Sequence, residues 1–189
     1  IGSSLTGGFS RVANRNGAVL TVAYVALGLV RQVAFYSAFV TWVQRTNPEM
    51  TGVPLPTVDV PLAVSAIAAF VALLLLQVVT IVSIRTFVGG HTDEIPAEYY
   101  TRNILLVLAN AIVGSLAYGL LVFLGSLLLI IPGIIAYVAF LFMLFYIAVE
   151  DENFVDAMAG SWGLTAGHRL ELFWLALVLL AAGDGSQKG

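Results

Sequence analysis

The chain has 189 residues, of which 60% are hydrophobic and 10% charged, with a formal net charge of −3 and no cysteine. Folded soluble domains carry charge at roughly 25% to cover their exterior, so this composition, with mean hydropathy +0.98, excludes a water-facing globule and makes lipid the solvent. The eight Lys and Arg are scattered singly, which excludes a nucleic-acid face, and the lack of Cys excludes disulfides, thiolate chemistry and cysteine-held metal.

The chain opens on Ile1 rather than Met, and Ile1 to Gly8 lack the basic-then-apolar order of a secretory signal, so the start reads as processed or as lacking its first residues. A helix crossing a hydrocarbon core of about 30 Å needs about 20 mainly apolar residues. The first such run is 17–43 and the second 60–84, the latter entered through Thr57, Asp59 and Pro61, residue types that cap and open helices. An apolar block then extends from Ile104 to Val149, about twice the spanning length, interrupted by Ile131-Pro132-Gly133-Ile134. Proline disfavours helical geometry in the residue before it and glycine tolerates reversal, so the block reads as helices 104–130 and 133–149 joined by a tight hairpin at Pro132 and Gly133, with a re-entrant loop as the alternative.

Next come Glu150, Asp151, Glu152 and Asn153, then a segment to residue 166 in which Phe154, Met158 and Trp162 recur at helical spacing. Asn153 with Asp156 three residues on resembles a capping box, and the preceding acids suit the positive end of a helix dipole. The segment 153–166 is expected to be an amphipathic interfacial helix on the headgroup boundary or against the bundle. A fifth apolar run, 170–182, is short for a crossing unless it continues or lies against neighbours, and the polar turn from Gly183 suggests further chain beyond it. The expected fold is all-α, a polytopic helical membrane bundle of about five transmembrane helices plus the cytoplasmic interfacial helix, in a single membrane domain over 1–189.

Short cytoplasmic loops keep an excess of Lys and Arg. Arg11 and Arg15 precede the first helix, Arg85 and Arg102 flank the second loop and Arg169 opens the fifth run, whereas the opposite side holds only Arg45 and Lys188. The expected placement is the cell membrane, multi-pass, with a cytoplasmic N-terminus. Trp42, Tyr99, Tyr100 and Trp162 fall near span ends, as interfacial aromatics do.

The run Ile131-Pro132-Gly133-Ile134, an apolar helix, Glu150-Asp151, Ala157 or Ala159, Ser161-Trp162, Leu164-Thr165 and Gly167 resembles the multi-pass membrane domain attached to some glycerophosphodiester phosphodiesterases and related free-standing bacterial and haloarchaeal membrane proteins. The resemblance covers about Leu120 to Leu180. It implies a helical membrane module with a cytoplasmic interfacial segment. It implies no reaction, because in that family the phosphodiesterase chemistry belongs to a separate soluble domain without counterpart here. Six spans are common in that family, one more than this sequence offers.

Arg31, beside Gln32, falls near the middle of the first helix, where an arginine costs from about 2.5 to over 10 kcal/mol. No acid lies in the middle of any other span, and the polar candidates are Gln77 and Asn110. Three readings are open: Arg31 snorkels to phosphates, meets an acid on a partner chain, or binds an anionic ligand inside the bundle. For Gln77 and Asn110, interhelical hydrogen bonding is the commoner role and a solute path the rarer one. Small residues at Gly114, Ser115, Gly119, Gly125 and Ser126 suit close helix packing.

His91, Asp93 and Glu94 are metal-capable in type, but no second histidine stands at ligand spacing, so no metal is expected. His168 and Arg169 near Glu171 either flank a helix or grip a lipid phosphate. Nothing resembles a nucleophile elbow, Walker loop, zinc-protease motif or dinucleotide fingerprint, so no catalytic residue and no cofactor is expected. The sequence therefore points to a non-enzymatic accessory or scaffolding module whose partners are membrane lipids, other membrane subunits or a second copy. A small transporter or channel along Arg31, Gln77 and Asn110 is the alternative.

Overall fold

The computed structural model describes residues 13–49, 55–128 and 130–175. These are all-helical, and four helices are long and apolar enough to cross a membrane: Arg15–Thr46, Leu62–Val88, Ile104–Leu128 and Pro132–Glu150. The chain is a helical membrane protein. Of the expected fifth run, 170–175 is helical, while 176–182 lie outside the described residues, as do Arg11, Lys188 and the first eight residues. Where the sequence reads as one membrane domain, the chain divides into two compact units between residues 100 and 101.

The first unit is an antiparallel helix pair, α1 (Arg15–Thr46) and α2 (Leu62–Val88), followed by the short α3 (Glu98–Thr101). Asn14 caps α1 by accepting from the Gly17 amide at 2.9 Å, satisfying one of the amides a helix start leaves open. At α2 the expected capping side chains are not used: Pro61 itself holds the cap position with no side-chain bond, as suits a residue with no amide to satisfy.

Polar contacts tie both ends of this pair. At one end the Ser37 hydroxyl accepts from the Val58 amide at 2.9 Å and donates to Val33 O at 2.8 Å. At the other, the Asn16 amide group donates to His91 O at 3.0 Å and its backbone N–H to Thr92 O at 3.2 Å. Asn16 and Ser37 are both buried, and Ile81 and Thr86 are fully enclosed.

The second unit holds α4 (Ile104–Leu128), α5 (Ile130–Ala139), α6 (Met143–Val149) and α7 (Phe154–Thr165), then a helical stretch at 169–175. Helix α4 runs antiparallel to α5 and α6 along its length. A Cβ on Gly125 would stand 2.9 Å from the Gly133 amide nitrogen, and one on Gly114 3.1 Å from Met143. Pro132 and Gly133 fall within the first turn of α5. There Pro132 loses no helical hydrogen bond, and Gly133 serves close approach: a Cβ on it would stand 2.7 Å from the Ser126 amide nitrogen. The glycine is needed for backbone contact between helices rather than for the reversal itself.

Candidate functional site

The polar groups that the sequence singles out lie at several places in the two units. Arg31 lies sixteen residues from the first residue of α1 and fifteen from the last, about 22–24 Å from either end at a rise of 1.5 Å per residue. Its side chain is exposed, whereas Ala34, Ser37 and Val40 on the same helix are buried. Arg31, Gln32, Phe35 and Tyr36 line a cleft of about 250 Å³, in which the Gln32 amide group donates to the Tyr36 hydroxyl. A cation beside a held amide and phenol can recognise an anionic group; it offers no nucleophile or base. Gln77 is half-buried on α2 and does not line this cleft.

Asn110 belongs to the second unit and joins two helices there. Its amide group donates to Leu106 O at 3.0 Å, and its carbonyl oxygen accepts from the Phe154 amide at 3.1 Å. The residue thus bridges α4 to the first turn of α7, satisfying an amide the helix start would otherwise leave open.

The mouth of the α4–α6 hairpin is clasped by charge. Arg102 Nε lies 3.1 Å from Asp151 Oδ2 and a terminal guanidinium nitrogen donates to Val149 O at 3.1 Å. Asn103 donates to the same Asp151 oxygen at 3.3 Å. Asn103 and Asp151 hold φ of 50° and 55°, left-handed geometry that Asn and Asp tolerate better than most residues. The Arg102 side chain is half exposed, which places this pair among surface ion pairs of about 0–1 kcal/mol. Glu150 is exposed, and Glu152 next to the clasp has one carboxyl oxygen enclosed without a partner among the described residues. That burial, then the charges of Glu150 and Asp156, raise the Glu152 pKa above its ordinary value.

Asn153 caps α7, accepting from the Val155 and Asp156 amides at 3.0 and 3.1 Å, while its own side-chain amide donates to Asp156. The capping box of the sequence is present, closed through side chains. The buried face of α7 is Ala157, Ser161 and Thr165, not the Phe154, Met158 and Trp162 stripe. Phe154 and Met158 are half-buried and Trp162 is exposed.

The buried face of α7 answers a defect in the neighbouring span. The helical ladder breaks at 140–142, near the middle of Pro132–Glu150. Ser161 Oγ donates to Ala139 O at 2.8 Å and accepts from the Phe142 amide at 3.2 Å, and Thr165 Oγ1 lies 3.3 Å from the same carbonyl. In lipid the freed backbone groups have no water to turn to, so the two hydroxyls stand in for the missing turn. This packing sets Ser161 and Thr165 against residues 139–142, near the middle of the Pro132–Glu150 helix. Neither Thr165 nor the break is evident from the apolar pattern of the sequence. The signal that could have found them is the small and polar stripe Ala157, Ser161, Thr165 at a spacing of four.

Beyond α7 the chain turns at Gly167, with φ of 86°. Arg169 then stacks its guanidinium 3.8 Å from the centre of the Trp162 ring, a cation–π contact, and His168 stays exposed. In the first unit His91 Nδ1 is 3.2 Å from the Tyr99 hydroxyl, and the buried Arg85 donates to Tyr99 O at 3.0 Å. Asp93 and Glu94 are exposed, and no group of three metal-capable side chains occurs among the described residues.

A family model described as a domain of unknown function, DUF7847, matches residues 1–185. The chain belongs to the DUF7847 family. No curated protein and no solved structure matches it. Within this DUF7847 fold the polar residues divide by role. Asn110, Ser161 and Thr165 in the second unit, like Asn16 and Ser37 in the first, tie segments together, whereas the Arg31 cation stands exposed on α1.

Proposed function

We propose that this DUF7847 chain is a non-enzymatic accessory subunit, inserted in the cell membrane with a cytoplasmic N-terminus, that acts by packing against partner membrane proteins. The observation that carries the reading is Arg31: a cation halfway along an apolar helix, exposed and with no ion pair among the described residues. Holding it in hydrocarbon is costly, and the cost is offset when a partner supplies the opposite charge. Clustering of Arg15 and Arg85 at one end of the α1–α2 pair supports the orientation. A transport path draws no support from Asn110, whose amide is committed to Leu106 and Phe154.

The test is purification of the full chain from native membranes in mild detergent, followed by native mass spectrometry. A stoichiometric second membrane polypeptide, retained by the wild type and depleted by Arg31→Leu, is the expected result. A lone monomer in every detergent tried would overturn the reading.

A further inference from the structure

The accessory-subunit reading leaves open what kind of surface the partner brings, and the exposed face of α1 answers that. Tyr24, Gly28, Arg31, Phe35, Ala38 and Trp42 follow one another at intervals of four, three, four, three and four residues. That alternation is the heptad seam by which one helix receives another. Tyr24, Phe35 and Trp42 on this seam are each more than half exposed. Phe39 beside it stacks on Phe35 and lies tilted against Trp42, each ring pair 6.4 Å apart, so the aromatic ridge is held by its own neighbours. Gly28 opens the seam one turn before Arg31: a Cβ built there would meet nothing within 4 Å, leaving room for a second backbone to approach.

Charge decides the occupant. Arg31 stands at the middle of the seam, and a second copy seated on the same face would set Arg31 against Arg31 in a medium that screens little. Among the described residues the other three candidate spans supply no counter-charge at mid-length: α2 and α4 contain no Asp or Glu, and Pro132–Glu150 has one only at its last residue. Lipid phosphates lie at the membrane faces, whereas Arg31 is near the centre of a 32-residue helix. We infer that this face of α1 seats a single transmembrane helix of a different protein, one carrying an Asp or Glu at mid-depth that pairs with Arg31. The inference rests on the accessory reading and adds to it the chemistry of the partner.

The experiment uses the full chain, fluorescently labelled, in phosphatidylcholine vesicles with acceptor-labelled synthetic transmembrane helices of leucine and alanine, bearing a central Asp, a central Asn or neither. Energy transfer is expected to show the Asp helix binding at least about tenfold more tightly than the helix without it, the size of one charge-assisted hydrogen bond. Arg31→Leu should abolish the preference and Arg31→Lys retain part of it. Gly28→Leu, which keeps the charge and blocks the approach, should weaken binding of the Asp helix.

Equal binding of all three helices, or an Asp preference that survives Arg31→Leu, sinks the inference. So does a preference erased by adding phosphatidylglycerol, which would assign Arg31 to lipid phosphate. Transfer between two labelled copies stronger than that to the Asp helix would replace it with self-association. If Arg31→Leu still retains the native partner, the seat fails while the accessory reading stands. A wild-type chain that is a lone monomer in native membranes yet prefers the Asp probe fails the accessory reading instead.

Discussion

Glu152 shows how much a residue's behaviour depends on its surroundings. In the sequence it is one of three consecutive acids at a helix start. In the structure one oxygen is enclosed, and burial followed by the charges of Glu150 and Asp156 raise its pKa. A carboxyl with a raised folded-state pKa holds its proton to higher pH in the folded chain than in the unfolded one. Stability then falls as pH climbs upward from the ordinary carboxylate value. Glu152→Gln is expected to flatten that fall; thermal melts in detergent across about pH 4 to 8 would show it, and parallel curves for variant and wild type would exclude it. Arg31 is the opposite case, since its oddity is fully readable in the sequence. Only its exposure needed the helix pair to be placed.

At the scale of the element, the helix boundaries follow from apolar runs and caps, as at Asn14 and Asn153, because those signals are local. The break at 140–142 has no local signal, being a run of Phe, Leu and Phe that would suit an unbroken helix. It is tolerated because α7 brings hydroxyls to it. Ser161→Ala would leave the Phe142 amide without an acceptor and Ala139 O with only the longer Thr165 contact. The expected loss is about 1–3 kcal/mol in a detergent unfolding titration. Thr165→Val should cost less, because Ser161 still serves the carbonyl. Equal and negligible losses would mean that the hydroxyls do not hold the break. The same packing explains why the apolar stripe of Phe154, Met158 and Trp162 misled: period alone shows that a helix has a face, not which face its neighbour needs.

At the scale of the molecule, four helices are long and apolar enough to cross a membrane, and Arg15 and Arg85 share one end of the α1–α2 pair, so the proposed orientation fixes which loops face the cytoplasm. The lack of native Cys makes this directly testable. With a thiol reagent that cannot cross membranes, Glu49→Cys should label in intact cells and Glu94→Cys only in inverted vesicles; the reverse pattern would invert the orientation. What the sequence by itself determined is the solvent, the helical class and the positions of four spans. Those follow from the cost of burying backbone groups and charges in lipid, which every residue meets locally. The tertiary structure alone decided that the chain forms two units, that Pro132 and Gly133 serve a crossing just past the turn, and that α7 packs through Ala157, Ser161 and Thr165. These depend on contacts between residues far apart in sequence, where a small side chain or a hydroxyl has meaning only once its neighbour is in place. Arg31 belongs to both: the sequence put a charge midway along an apolar helix, and the packing of α1 on α2 left it exposed.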